Sequence, residues 1–171
     1  MAASPHSTPL LGRRGRLELD ETLAALVVDG YLLAEDARQV RMGSRAGRST
    51  VELHPLVVIA NAKLANQREP GRPLGLETLT EWLAAQADLP YLKIDPMKIN
   101  VAAVTQTVSM AYAQRHRILP VAASPGEITF ATCEPFDSGW ARDLAQMLRR
   151  DVKRVVSSPL DINRYLQEFY G

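Results

Sequence analysis

The residues of this chain whose types suit chemistry are few: three histidines, one cysteine and a handful of acids beside prolines. His6, His54 and His116 are scattered, and no two have the helical spacing that puts a pair of imidazoles on one face to hold a metal. His6 sits among Ser and Pro, His54 precedes a helix-starting proline, and His116 lies between Arg115 and Arg117, so an incidental, a capping and a solvated role are expected. Cys133 is followed by Glu134-Pro135. A reactive thiol needs electropositive surroundings, so a buried structural cysteine is expected. Asp95 and Asp137 each open a helical run, and capping explains them better than acid–base work.

Catalytic signatures are absent. None of Lys63, Lys93, Lys98 and Lys153 has a glycine before it and Ser or Thr after it, so the phosphate-cradling loop G-x-x-x-x-G-K-[ST] is missing. Neither H-E-x-x-H nor G-x-S-x-G occurs. A segment without catalysis of its own is expected, with no metal and no cofactor. What remains suits binding. Arg38, Arg41, Arg45 and Arg48 fall in a stretch free of acids, and guanidinium forks match carboxylate and phosphate. They are the candidate contact for an anion or an acidic partner. The alternative is a solvated linker, because Gly43, Ser44, Gly47, Ser49 and Thr50 are interspersed.

The totals bound the class. The chain has 171 residues, 46% hydrophobic, with a net charge of +1. That is enough apolar surface for a core, and no strong field points to nucleic acid. The single cysteine excludes an internal disulfide. No apolar run has the length of a membrane span and no signal core follows the N-terminal arginines, which leads to a cytoplasmic expectation.

The elements that must position these residues fall into two halves. Residues 1–17, rich in Ser, Pro, Gly and Arg, are expected to be a disordered tail. Residues 18–88 form a helical subdomain. Its first helix opens at Asp20, carries Leu23, Leu26 and Val27, and stops at Gly30; a second carries Leu33, Ala37 and Val40 and ends at Gly43. The run after His54-Pro55 fits a helix, although Val57-Val58-Ile59 alone suits a strand. A further helix carries Leu79, Trp82, Leu83 and Gln86 and ends before Pro90. Residues 89–171 read as β-β-α-β-α. Ser124-Pro125-Gly126 joins two β-rich runs as a hairpin, a helix with Trp140, Leu144, Met147 and Leu148 follows, then a third strand, and Ser158 to Asp161 opens a last helix with Ile162, Tyr165, Leu166 and Phe169. The fold class is α+β: a helical N-terminal subdomain, then a small two-layer α/β subdomain with a three-stranded, mainly antiparallel sheet.

The order of the motifs in the second half is specific. Leu89-Pro90-Tyr91 leads to Asp95-Pro96; a helix then runs into Ile118-Leu119-Pro120-Val121; the hairpin ends Ala131-Thr132-Cys133-Glu134-Pro135-Phe136-Asp137; and the chain closes on Asp161-Ile162 to Tyr170-Gly171. Over Leu79 to Gly171 this resembles the N-terminal domain of the type II secretion and type IV pilus assembly ATPase family. The resemblance implies a domain that precedes a RecA-like ATPase domain and docks on the cytoplasmic part of an inner-membrane platform protein. The expected function is therefore a non-catalytic adaptor, cytoplasmic and peripheral at the inner membrane through its partners. The downstream ATPase domain would lie beyond Gly171 in the full-length protein; a stand-alone regulatory domain is the other possibility. One branch of the family binds cyclic di-GMP through two motifs that open R-L-G and end at a Gln. Here Glu21-Thr22-Leu23 stand where the first R-L-G belongs, and Arg72-Pro73-Leu74-Gly75 carries the letters with an inserted proline at the wrong end. Gln86 fits the close of the second motif. A cyclic di-GMP sensor stays the alternative, with no nucleotide-binding residue assigned.

Overall fold

A computed structural model describes residues 8–46 and 53–171. The first half holds helices α1 (Leu19–Val28), α2 (Ala34–Ala46), α3 (Pro55–Asn61) and α4 (Leu76–Gln86). The second holds a 3-10 turn (Pro96–Lys98), α5 (Val101–Thr105), α6 (Met110–His116), β1 (Ile118–Ala123), β2 (Glu127–Thr132), α7 (Gly139–Leu148), β3 (Asp151–Val156) and α8 (Pro159–Tyr170).

Local chemistry explains most boundaries. The ambiguous apolar run after His54 is a helix, because Pro55 takes the first helical position and the His54 ring accepts from Leu56 N–H. Asn100, Ser109 and Ser158 cap α5, α6 and α8 with their side chains. Asp95 caps the 3-10 turn through Met97 N–H. Two expected caps differ. The cap of α1 is Glu18, not Asp20, and Glu18 N–H donates to Glu21 Oε1 at 2.8 Å. The cap of α7 is Ser138, while Asp137 offers its carbonyl to Trp140 Nε1. Helix α2 also runs through Gly43 to Ala46. An interior glycine costs only about 1 kcal/mol, and Glu35 and Asp36 in the first turn with Arg45 in the last suit the helix dipole.

The sheet has strand order β1-β2-β3. The hairpin strands β1 and β2 are antiparallel, with a bulge at Val121. Strand β3 joins β2 in parallel, so the sheet is mixed where a mainly antiparallel one was expected. The helix α7 between them is the reason, because a helical crossover returns the chain in the same direction. Phe130 of β2 meets Trp140 of α7 edge-on, with ring centroids 5.4 Å apart.

The expected disordered tail does not extend to Leu17. Leu10 and Leu17 are 4% and 5% exposed and belong to the helical core. Gly12 and Gly15 have positive φ, which lets the segment reverse, and Gly15 N–H donates to the Phe136 carbonyl at 3.0 Å. Two leucines and two glycines in a polar run are enough to fasten residues 8–17 across both halves.

The helical core of Leu23, Leu26, Leu56, Ile59, Leu79 and Leu83 includes Val156 from the end of β3. The sheet core gathers Ile118, Leu119, Ile128, Phe130, Trp140 and Leu144 with Ile162, Tyr165 and Leu166 of α8. Trp82 and Trp140 are both core residues, as their helix faces imply.

Candidate functional site

The polar chemistry of the molecule converges on the junction between the halves. His54 stands at the start of α3 and is 6% exposed. Its Nδ1 accepts from Leu56 N–H at 3.1 Å, so the ring proton sits on Nε2. That Nε2–H donates to the carbonyl of Cys133, just past β2, at 2.8 Å. Burial pulls the imidazole down to about 4, with the Cys133 carbonyl opposing and Arg117 adding to the fall. The ring is neutral at pH 7, so its 3.7 Å approach to Glu134 is not an ion pair.

Glu134 is 2% exposed and carries the junction's charge. Its Oε1 accepts from Leu17 N–H at 2.9 Å and its Oε2 from Arg117 Nη1 at 3.1 Å. Burial raises its pKa, opposed by Leu17 N–H and by the Arg117 and Arg16 charges. Cys133 beside it is 3% exposed, and burial followed by the Glu134 charge pushes the thiol up to about 12. It is the buried structural cysteine that its acidic neighbour implied.

A second, half-buried carboxylate organises the helical half. Asp29 Oδ2 accepts from Trp82 Nε1 at 2.7 Å and from Gln86 Nε2 at 3.1 Å. Gln86 Oε1 in turn accepts from Leu10 N–H at 3.3 Å. The glutamine that fits the close of a nucleotide motif is thus 2% exposed and holds Asp29 and the N-terminal segment. A network on another edge joins Tyr91 and Lys93 to Glu77 and Asp161, tying α4 to α8.

The arginines singled out by the sequence lie elsewhere. Arg38, Arg41 and Arg45 are on α2, in one stripe at i, i+3 and i+7. The acids they face come from outside the 38–48 run: Arg38 pairs with Glu35 at 2.7 Å, and Arg41 and Arg45 each reach Asp20 of α1 at 3.4 Å. Arg48 and His6 lie outside the described residues. His116 stacks obliquely on Tyr112, with ring centroids 4.4 Å apart. The junction groups, Glu134 above all, are what the sequence reading missed. A glutamate before proline at a strand end, facing Arg117 at the start of the paired strand, was the available signal.

Beside the junction an open groove of about 390 Å³ runs between α3 and α8. Leu53 and Leu160 stand on its walls, 45% and 54% exposed, and Arg117 and Asn163 supply polar edges. Among the described residues no group of three or more His, Cys, Asp or Glu is placed to hold a metal ion. Among them, too, no helix is long and apolar enough to cross a membrane.

From the end of α4 to the last helix, residues 87–171 match the MshEN domain. The chain is also 32% identical, over 149 residues, to the type IV pilus assembly ATPase TfpB of Acinetobacter baylyi. That similarity takes in 86% of this chain and 25% of TfpB, so the chain spans about a quarter of the curated relative's length. Two solved structures share the fold. The structure of MshE with cdg covers 91% of this chain and all of its own, at 20% identity and a TM-score of 0.55. The N-terminal domain of XpsE covers 92% of this chain and all of its own, at 18% identity and a TM-score of 0.53. The motif order over Leu79 to Gly171 implied an N-terminal domain of type II secretion and type IV pilus assembly ATPases, and the MshEN segment and the TfpB similarity bear that out.

Proposed function

We propose that this chain is the non-catalytic adaptor of a type II secretion or type IV pilus motor and docks on the cytoplasmic part of an inner-membrane platform protein. The MshEN segment together with the relation to TfpB carries the reading. The phosphate loop is missing from the sequence, so ATP hydrolysis belongs to a downstream ATPase domain. The adaptor then acts at the cytoplasmic side of the membrane through its partner.

Arg38, Arg41 and Arg45 are the contact for an acidic partner surface. Their present ion pairs are exposed, apart from a half-buried Arg41. Such pairs are worth about 0–1 kcal/mol, so a partner's carboxylates can replace them at small cost. The test is capture of the inner-membrane platform proteins by the isolated chain. Capture of one of them, weakened at least several-fold by Arg41→Glu with Arg45→Glu, is expected. No capture of any platform protein overturns the reading.

Cyclic di-GMP sensing is the second reading. It is favoured by the shared fold with MshE, whose solved structure is with cdg. Calorimetry with cyclic di-GMP tests it, and heat equal to buffer dilution removes it.

A further inference from the structure

An open cleft of about 330 Å³ lies where the 11–14 loop, the end of α4 and β3 meet. Gly12, Arg14, Asp88, Phe136, Ser138 and Arg154 are among the residues that line it. Arg154 enters from the middle of β3, half-buried. Its guanidinium donates from Nη1 to the Pro135 carbonyl at 2.7 Å, and among the described residues it has no carboxylate partner. Burial lowers its pKa, yet an arginine keeps its charge at pH 7. A half-buried guanidinium with most of its fork unfilled favours an anion.

Arg14, from the 11–14 loop, also lines the cleft; it is exposed, and among the described residues it too pairs with no acid. The neighbouring Arg13 is committed to Glu21. Ser138, which also lines the cleft, caps the ten-residue α7 without a hydroxyl bond to its first turn, so the positive end of the helix adds to the cleft's charge. Asp88 at the rim opposes these charges. Phe136, half-buried, offers an apolar face beside them.

We propose that this cleft binds a phosphate-bearing anion, with Arg154 and Arg14 gripping its oxygens from two sides. Two forks on separate elements suit the tetrahedral oxygens of a phosphate better than the flat pair of a carboxylate. The cleft is larger than a phosphate ion, so the remainder of a phosphomonoester has room along Phe136. The cleft is separate from the α2 arginines and its occupancy is independent of platform docking.

NMR titrations of the whole chain at constant ionic strength test this, with inorganic phosphate, adenosine monophosphate and acetate as probes. Saturable shifts of the Arg154 side-chain N–H and the Ser138 and Gly139 amides are expected with the phosphates and not with acetate. Equal affinity for the two phosphates assigns the site to free phosphate; binding about tenfold tighter for the ester assigns it to a phosphorylated small molecule. Arg154→Gln abolishes the shifts. Arg14→Gln, at an exposed position, weakens binding about threefold or more, and Asp88→Asn strengthens it. Shifts that fail to saturate, that acetate reproduces, or that ignore both Arg14→Gln and Asp88→Asn overturn the proposal.

Discussion

His54 Nε2–H donates to the Cys133 carbonyl across 2.8 Å, and this bond joins the start of α3 to the end of β2. The same ring caps α3 through Leu56 N–H. One neutral imidazole therefore holds a helix terminus and the junction of the two halves; the cap on Leu56 N–H requires the unprotonated Nδ1, whereas the Nε2–H bond to Cys133 is open to either form of the ring.

Stability should accordingly fall on mild acidification. The folded His54 pKa, about 4, lies below the ordinary 6.5, so between these values the unfolded chain binds a proton that the folded chain refuses. Stability is full above about pH 6.5 and is lost as pH falls toward 4. The expected loss from this group between pH 7 and pH 5 is about 2 kcal/mol. Glu134 works in the opposite sense, because its raised pKa favours the folded state as the carboxyl protonates. Urea unfolding at the two pH values, for the native chain and for His54→Asn, measures the difference. Asn can keep a cap acceptor without titrating, so the pH dependence should shrink in the variant. An unchanged dependence would show that other groups carry it.

Breaking the Arg117–Glu134 pair should cost more than replacing it. Arg117→Met leaves the Glu134 carboxylate 2% exposed with Leu17 N–H as its remaining hydrogen bond, and roughly 3–5 kcal/mol of stability should go. Arg117→Met with Glu134→Gln should recover part of that loss, because the buried charge is gone. A double-mutant cycle by denaturant unfolding gives the coupling.

Residues 8–17 should behave as part of the fold rather than as an appendage. Leu17→Ala removes a 5% exposed side chain from the helical core, at an expected cost of about 2–4 kcal/mol. Leu10→Ala should act in the same direction, since Leu10 is 4% exposed and its N–H holds Gln86. Hydrogen exchange adds a second reading: the Leu17 and Gly15 amides, bonded to Glu134 and Phe136, should be protected. Exchange at open-chain rates would show the segment detached.

The local grammar of the second half was legible in advance. The hairpin around Ser124-Pro125-Gly126, the Ser158 cap and the Asp95 cap rest on short-range chemistry, and they stand as read. The parallel entry of β3 was not legible, because it depends on where α7 returns the chain. The long-range polar pairs were hidden for the same reason. Leu17 and Glu134 are 117 residues apart, and nothing in either neighbourhood announces the other. The α2 stripe shows the limit from the other side. Arg41 and Arg45 sit in an acid-free run, yet Asp20 of the preceding helix supplies the acid they face.

The end of α7 offers a stabilising change. Arg149 caps it in the left-handed region, at φ 53, a conformation that costs a side-chain-bearing residue roughly 1 kcal/mol or more. The residue is exposed and among the described residues makes no ion pair or side-chain hydrogen bond, so little else is lost on its replacement. Arg149→Gly should therefore raise stability by roughly 0.5–1 kcal/mol and increase Tm by a few degrees. Arg117 has the same backbone conformation at the end of α6 but also holds Glu134. Arg117→Gly should thus destabilise the chain where Arg149→Gly stabilises it. Thermal unfolding of the two variants side by side checks the sign of each, and a loss of stability in Arg149→Gly would show that backbone strain at the end of α7 is not what limits it.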